Sequence, residues 1–394
     1  SVFRSVEYSP DEAYILVDRI KKPYSYSVPL WSFAHAIEIW DRDGNLKTVL
    51  ADLPLADQVP IRGVPEGMRS VEWRPLKDAT LVWVEALDEG DPENQVEYRD
   101  KIMTLPAPFS STPRHVLKIK ERYGGISWME EEGMALLTER NWKKRWYTTS
   151  IINVDADVIN PKVIFDLSTQ DRYNDPGSPV SKRTNTGERV VIYEDGCIFL
   201  SGRGASPQGD RPFLDKLDLH TKNTTRLFHS REDSYEYFTG FIGDSYNEII
   251  IRHESNIDVP NYYSVELDKK SRTQLTFFKD PAPQMRGVKK ELVKYTREDG
   301  VPLSGTLYLP PDYEEGERLP LVLWAYPREY SNPKIAGQVR GSAHRFTFYR
   351  GYSQLFFLLQ GYAVLNGAQM PVVGDPKTMN NTFVKQIVSS ADAA

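Results

Sequence analysis

Cysteine, histidine and long apolar runs are all scarce in this sequence, and each shortage removes a class of explanation. One cysteine, Cys197, stands among 394 residues, so neither an internal disulfide nor a thiolate metal cage is possible. It lies in the strand-like run Asp195-Gly196-Cys197-Ile198-Phe199-Leu200 with no catalytic signature around it, and reads as a buried structural thiol. The six histidines do not converge. His220 and His229 share one strand-turn-strand stretch but lack a third ligand at metal-binding spacing, so no metal and no cofactor is expected. The apolar run Leu355-Phe356-Phe357-Leu358-Leu359 is far too short to span a bilayer, and no membrane span is expected. Lys and Arg number 49 against 55 Asp and Glu, a net charge of -6. Without a basic run there is no electrostatic footprint for nucleic acid. An initiator methionine and a leader-type segment are absent from the opening Ser1-Val2-Phe3-Arg4. Residue 1 is therefore read as internal to a longer protein, which leaves the compartment open, as it leaves the oligomeric state.

What is present up to about residue 285 is a succession of short alternating strands, punctuated by Asp-Gly, Asn and Pro turns. A weak repeat runs through them. Ser5-Val6-Glu7-Tyr8-Ser9-Pro10-Asp11 is echoed by Ser70-Val71-Glu72-Trp73-Arg74-Pro75 and by Gly125-Ile126-Ser127-Trp128-Met129-Glu130. An apolar strand follows each, at Tyr14-Ile15-Leu16-Val17, Thr80-Leu81-Val82-Trp83-Val84 and Met134-Ala135-Leu136-Leu137. Units spaced by roughly 55–65 residues, longer than common propeller repeats, suggest about five blades of four antiparallel strands with long loops. A pair of β-sandwiches is the alternative, although it would not require the echo.

The run Asp280-Pro281-Ala282-Pro283-Gln284-Met285 marks the expected boundary between domains 1–283 and 284–394. Beyond it, segments 291–300 and 301–310 read as a hairpin around Asp299-Gly300. Leu319-Pro320-Leu321-Val322-Leu323-Trp324-Ala325-Tyr326-Pro327 reads as a buried strand running into a turn. Gly361-Tyr362-Ala363-Val364-Leu365 reads as the next strand, and Asn380 begins a helix. The expectation is the N-terminal part of an α/β-hydrolase domain, with a parallel sheet covered on both faces. Its nucleophile elbow, G-x-S-x-G, does not occur in these residues. Arg340-Gly341-Ser342-Ala343-His344 departs from that pattern, so Ser342 and His344 are not read as a dyad. Gly202-Arg203-Gly204 precedes prolines rather than a helix start and reads as a turn loop, not a phosphate cradle. Asn223-Thr224-Thr225 and Asn380-Asn381-Thr382 fit the glycosylation sequon, a pattern frequent by chance.

Several of these segments carry a family resemblance. Leu307-Tyr308-Leu309-Pro310-Pro311-Asp312-Tyr313, Pro320 to Glu329, Ala336-Gly337-Gln338-Val339-Arg340-Gly341-Ser342 and Val384 to Ala391 resemble the prolyl oligopeptidase family of serine peptidases, and most of all its glutamyl endopeptidases. Tyr123 to Trp128, Gly204 to Gly209, Pro212 to Asp215 and Asp52 to Ala56 match in the strand-rich part. The resemblance implies hydrolysis of peptide bonds after Glu by Ser-His-Asp acyl transfer, with peptides or unfolded segments as substrates. It implies an oxyanion-hole role for Tyr326, whose phenol would donate to the tetrahedral intermediate. Glutamyl specificity calls for a guanidinium near the substrate carboxylate, and Arg328 and Arg340 are the candidates. The catalytic Ser, Asp and His are expected beyond residue 394, so the chain is read as clipped at both ends and inactive alone. A non-catalytic propeller that binds peptides or proteins is the alternative function. An aminopeptidase or acyl-peptide hydrolase activity is a third.

Overall fold

The computed structural model describes residues 2–394, which divide into two compact units. The first comprises Ser1–Asp166 and Val180–Gly196; the second comprises Leu167–Pro179 and Cys197–Ala394.

In the first unit, sheet I orders β1 (Val2–Tyr8), β2 (Tyr14–Ile20), β3 (His35–Asp41) and β4 (Leu46–Leu53) as an antiparallel meander. Sheet II repeats this order with β5 (Arg69–Trp73), β6 (Thr80–Ala86), β7 (Asp100–Pro106) and β8 (Arg114–Ile119). Sheet III repeats it again with β9 (Arg122–Trp128), β10 (Met134–Asn141), β11 (Trp146–Asn153) and β12 (Lys162–Ser168). The echoed segments are thus the first strands β1, β5 and β9. The apolar runs after them are second strands, buried on both faces, which explains why they are continuously hydrophobic rather than alternating.

Face-to-face packing joins these sheets. Leu16, Ile37 and Ile39 of sheet I meet Trp73, Leu81, Trp83 and Leu105 of sheet II. Val84, Ile102 and Val116 of sheet II in turn meet Trp128, Ala135, Leu137 and Ile152 of sheet III. The aromatic residue of the repeat fastens one sheet to the one before it. The Trp73 indole N–H donates to the Glu7 carbonyl at 3.1 Å, and that of Trp128 donates to the Glu72 carboxylate at 2.9 Å. Glu7 and Glu72 hold equivalent places in the repeat, so the motif records a physical tie between neighbours.

The second unit begins with β13 (Ser178–Pro179). A small hairpin of β14 (Ser181–Arg183) and β15 (Arg189–Val191), then β16 (Tyr193–Glu194), belong to the first unit. Sheet IV is ordered β13, β17 (Cys197–Gly202), β18 (Phe213–Asp218), β19 (Thr224–His229). Sheet V is the meander β20 (Tyr235–Ile242), β21 (Glu248–Glu254), β22 (Asn261–Glu266), β23 (Ser271–Gln274). The Phe199 ring of sheet IV meets Phe241 of sheet V edge-on, 4.8 Å between centroids. Cys197 is half-buried at the start of β17, not buried as expected, because a strand's first residue lies at the sheet's rim.

A mixed sheet completes the unit. It contains the expected hairpin, β24 (Lys289–Thr296) and β25 (Pro302–Leu309), then β26 (Leu321–Tyr330), helix α1 (Pro333–Ala336), β27 (Ala363–Val373) and helix α2 (Phe383–Ala393), in strand order β24-β25-β27-β26. Two expectations are corrected here. The sheet is not all-parallel, since only β26 and β27 run parallel. Nor is β26 a buried strand ending at Pro327. It continues to Tyr330 in parallel register with β27, and its residues alternate between exposed and half-buried before the buried Tyr330. Pro327 lies inside the strand, opposite Met370 of β27, and does not end it. Arg297 fastens the hairpin to α2: its buried guanidinium donates to the Pro371 carbonyl at 2.8 Å and Ser390 Oγ at 3.1 Å, and pairs with Asp299 at 2.8 Å.

Candidate active-site cavity

A cavity of about 730 Å³ lies wholly within the second unit. Side chains alternate across a strand, so Tyr326, Arg328 and Tyr330 of β26 fall on one face, and all three line the cavity. Tyr326 is 78% exposed there. Arg340 comes from the loop after α1, and its Nη2 donates to the Tyr330 hydroxyl. Thus Tyr326, Arg328 and Arg340, separated by up to fourteen positions in sequence, share one cavity.

The Arg340 loop is held on two sides. Gln369 of β27 donates to the Gln338 carbonyl at 2.7 Å. The segment 167–179, which no sequence pattern singled out, supplies the rest. Gln338 Oε1 accepts from Arg172 N at 2.7 Å, Gln338 Nε2 donates to Asp171 at 2.7 Å, and Tyr173 Oη accepts from Val339 N at 2.9 Å. Gln170 donates to the Glu329 carbonyl at 2.6 Å, tying the same segment to β26. Although burial opposes ionisation of Asp171, its bonds to Gln338 and Asn174 hold its pKa below the ordinary value. Burial lowers the Arg340 pKa, and the nearby Arg328 and Arg172 charges lower it further.

Positive charge dominates the lining. Arg172, Arg203, Arg328, Arg340 and Arg345 stand against Asp175 and Asp210. Arg172 is neutralised by Asp210, with contacts of 2.8 and 3.0 Å. Arg345 reaches Glu254 at 3.2 Å. Arg203 and Arg328 have no hydrogen-bond or ion-pair partner among the described residues. Such a cavity can take a carboxylate, and a phenol beside two guanidiniums can donate to developing negative charge. Sequence reading found Arg328 and Arg340 but passed over Arg203. Its flanking glycines are the signal that could have marked it: Gly204 has φ +58°, and a Cβ there would sit 2.0 Å from the Arg211 carbonyl oxygen. That close backbone approach turns Arg203 outward at the end of β17. Ser342 and His344 meet only through the His344 backbone N–H, which donates to Ser342 Oγ at 3.2 Å.

The comparison with known proteins agrees with this architecture. Over its whole length the chain is 38% identical, across 415 residues, to a protein of Oryza sativa subsp. japonica named "Probable glutamyl endopeptidase, chloroplastic", and 37% identical, across 418 residues, to its counterpart in Arabidopsis thaliana. The chain is thus similar along its whole length to two proteins named as probable glutamyl endopeptidases. It spans 44% and 43% of the length of those two relatives. No family model matches it. The Pyrococcus horikoshii acylaminoacyl peptidase superposes with a TM-score of 0.52 at 12% identity, covering 99% of this chain and 56% of the other. An acylaminoacyl peptidase bound to Z-Gly-Gly-Phe-chloromethyl ketone gives 0.51 at 12% identity, covering 99% and 56%. These structural likenesses bear on the fold alone: β-propeller sheets followed by the beginning of an α/β-hydrolase domain. Among the described residues no helix is long and apolar enough to cross a membrane.

Proposed function

We propose that this chain is the propeller (1–283) and the leading part of the peptidase domain (284–394) of a serine-type endopeptidase that cleaves peptides after glutamate. The observation that carries this reading is the presence of Tyr326, Arg328 and Arg340 in one cationic cavity. In the proposed reaction a serine Oγ attacks the scissile carbonyl, a histidine takes its proton, and an aspartate orients that histidine. The phenol O–H of Tyr326 donates to the oxyanion that forms, and the guanidiniums of Arg328 and Arg340 receive the glutamate side chain. Residues 1–394 contain no G-x-S-x-G, and the proposal assigns none of the three triad groups to them.

Two experiments test it. In a form of the protein that hydrolyses peptides, Arg328→Ala and Arg340→Ala should each reduce the kcat/KM preference for Glu over Ala, and Tyr326→Phe should lower kcat by about 10²–10³-fold. An unchanged Glu preference in both arginine variants ends the specificity assignment. Separately, the 394-residue chain should form no covalent adduct with a fluorophosphonate probe. Stoichiometric labelling of any serine in it would refute the statement that these residues carry no nucleophile.

A further inference from the structure

The charges around the cavity fall into two groups on different elements. Arg328 and Arg340 lie on and beside β26, and the Arg328 charge acts on Arg340. Arg203 and Arg345 lie at the end of β17 and in the loop before β27, and both act on Tyr235 of β20. Tyr235 and Tyr237 are i and i+2 on their strand, so they face the cavity together. The Arg345 guanidinium lies 5.2 Å from the Tyr235 ring centroid and reaches Glu254 at 3.2 Å. Glu254 is itself buried and shared with Arg252 at 2.8 Å, so it neutralises neither cation fully. Arg203 is exposed and has no carboxylate partner among the described residues. The Tyr235 ring face holds the Arg345 cation in place, and the uncommitted Arg203 guanidinium beside it can donate to a planar anion.

We infer that this second group, Arg203 with Arg345 against Tyr235 and Tyr237, is a further subsite that binds a second carboxylate of the same peptide. The cavity then selects peptides carrying two carboxylates, one at the scissile glutamate and another some residues away. The inference rests on the reading of Arg328 and Arg340 as the glutamate site. The second carboxylate has two possible sources, an acidic side chain or the peptide's C-terminus.

Binding of fluorescent N-acetylated peptides of equal length to the 394-residue chain, followed by anisotropy at low salt, separates these ideas. One peptide has a single Glu and a C-terminal amide, a second has two Glu and an amide, and a third has a single Glu and a free C-terminus. The second or third should bind at least about tenfold tighter than the first, and whichever does so names the source. Arg203→Ala should erase that advantage, weakening the favoured two-carboxylate peptide by about tenfold more than it weakens the single-Glu amide. The exposed position of Arg203 makes this variant safe for folding, and Arg203→Lys should restore part of the gain. Equal binding of all three peptides overturns the inference, as does an equal loss for all three in Arg203→Ala. A fourth peptide, the single-Glu amide with Gln in place of Glu, keeps the two readings apart. If it binds as well as its parent, the glutamate site fails, whatever the second carboxylate does.

Discussion

In the first unit a cluster of arginines is closed against buried carboxylates, whereas around the cavity of the second unit two arginines have no such partner among the described residues. Arg122 donates to Asp100 at 2.6 Å and to Asp88 at 2.5 Å, Arg99 shares Asp88 at 2.6 Å, and Arg69 pairs with Asp100. Both aspartate side chains are fully buried. Arg74 makes a two-pronged contact with Asp155 at 2.8 and 2.6 Å. Arg203 and Arg328 have nothing comparable. The same side chain therefore holds sheets together in one place and remains available to a ligand in another, and the partner alone makes the difference. A buried, paired arginine has no capacity left for a substrate carboxylate; an exposed, unpaired one contributes little to folding.

The largest effect that would break this contrast is expected at Asp100. Asp100→Ala leaves Arg122 and Arg69 without their shared anion and the Tyr123 N–H without its 2.7 Å acceptor. It should lower unfolding free energy by about 3–5 kcal/mol in urea titrations. A loss below about 1 kcal/mol would mean that the cluster is not what holds these strands.

Carboxylates sharpen the comparison through pH. Glu236 is buried, which opposes ionisation, but Arg272 and His253 hold its pKa down to about 2. A depressed folded pKa contributes stability above the ordinary value near 4.5, and that stability is lost as pH falls toward 2. Glu236→Gln should flatten this acid limb. Glu72 has no ion-pair partner among the described residues. Burial raises its pKa to about 7, the Trp128 N–H opposes this, and the Glu7 charge adds to it. Here the folded state holds the proton more tightly, so stability is greatest below pH 4.5 and falls as pH rises through 7. The fall should amount to about 3 kcal/mol at most, and Glu72→Gln, which can still accept from Trp128, should remove it. Thermal unfolding of both variants between pH 3 and 8 checks the opposite signs.

The smallest expected effect is on the cavity side. Arg203→Ala should change unfolding free energy by no more than about 0.5 kcal/mol, measured by the same urea titration as Asp100→Ala. A loss of several kcal/mol would make Arg203 a structural residue like Arg122 and remove the contrast.

Much of this fold could be read from local patterns. The echo of Ser5–Tyr8 in Ser70–Trp73 marked β1 and β5 as first strands, and Trp73 and Trp128 show its physical use, each reaching back to the first strand of the sheet before. Asp299-Gly300 marked its hairpin, with Gly300 at φ +85°. The candidate site was less legible. Tyr326, Arg328 and Arg340 could be named, but Pro327 was read as the start of a turn, although the pairing with β27 carries the strand on to Tyr330. The segment 167–179 was missed because its bonds go to loop backbone and to residues more than 150 positions away.

By itself, then, the sequence determined the strand repeat and the hairpin around Asp299-Gly300, since periodicity and turn chemistry act over a few residues. Tertiary structure decided which arginines are spent on buried aspartates and which face the cavity. It also decided how far β26 runs beside β27 and how the Arg340 loop is held. These depend on partners distant in sequence, and charge neutralisation and burial exist only once those partners meet.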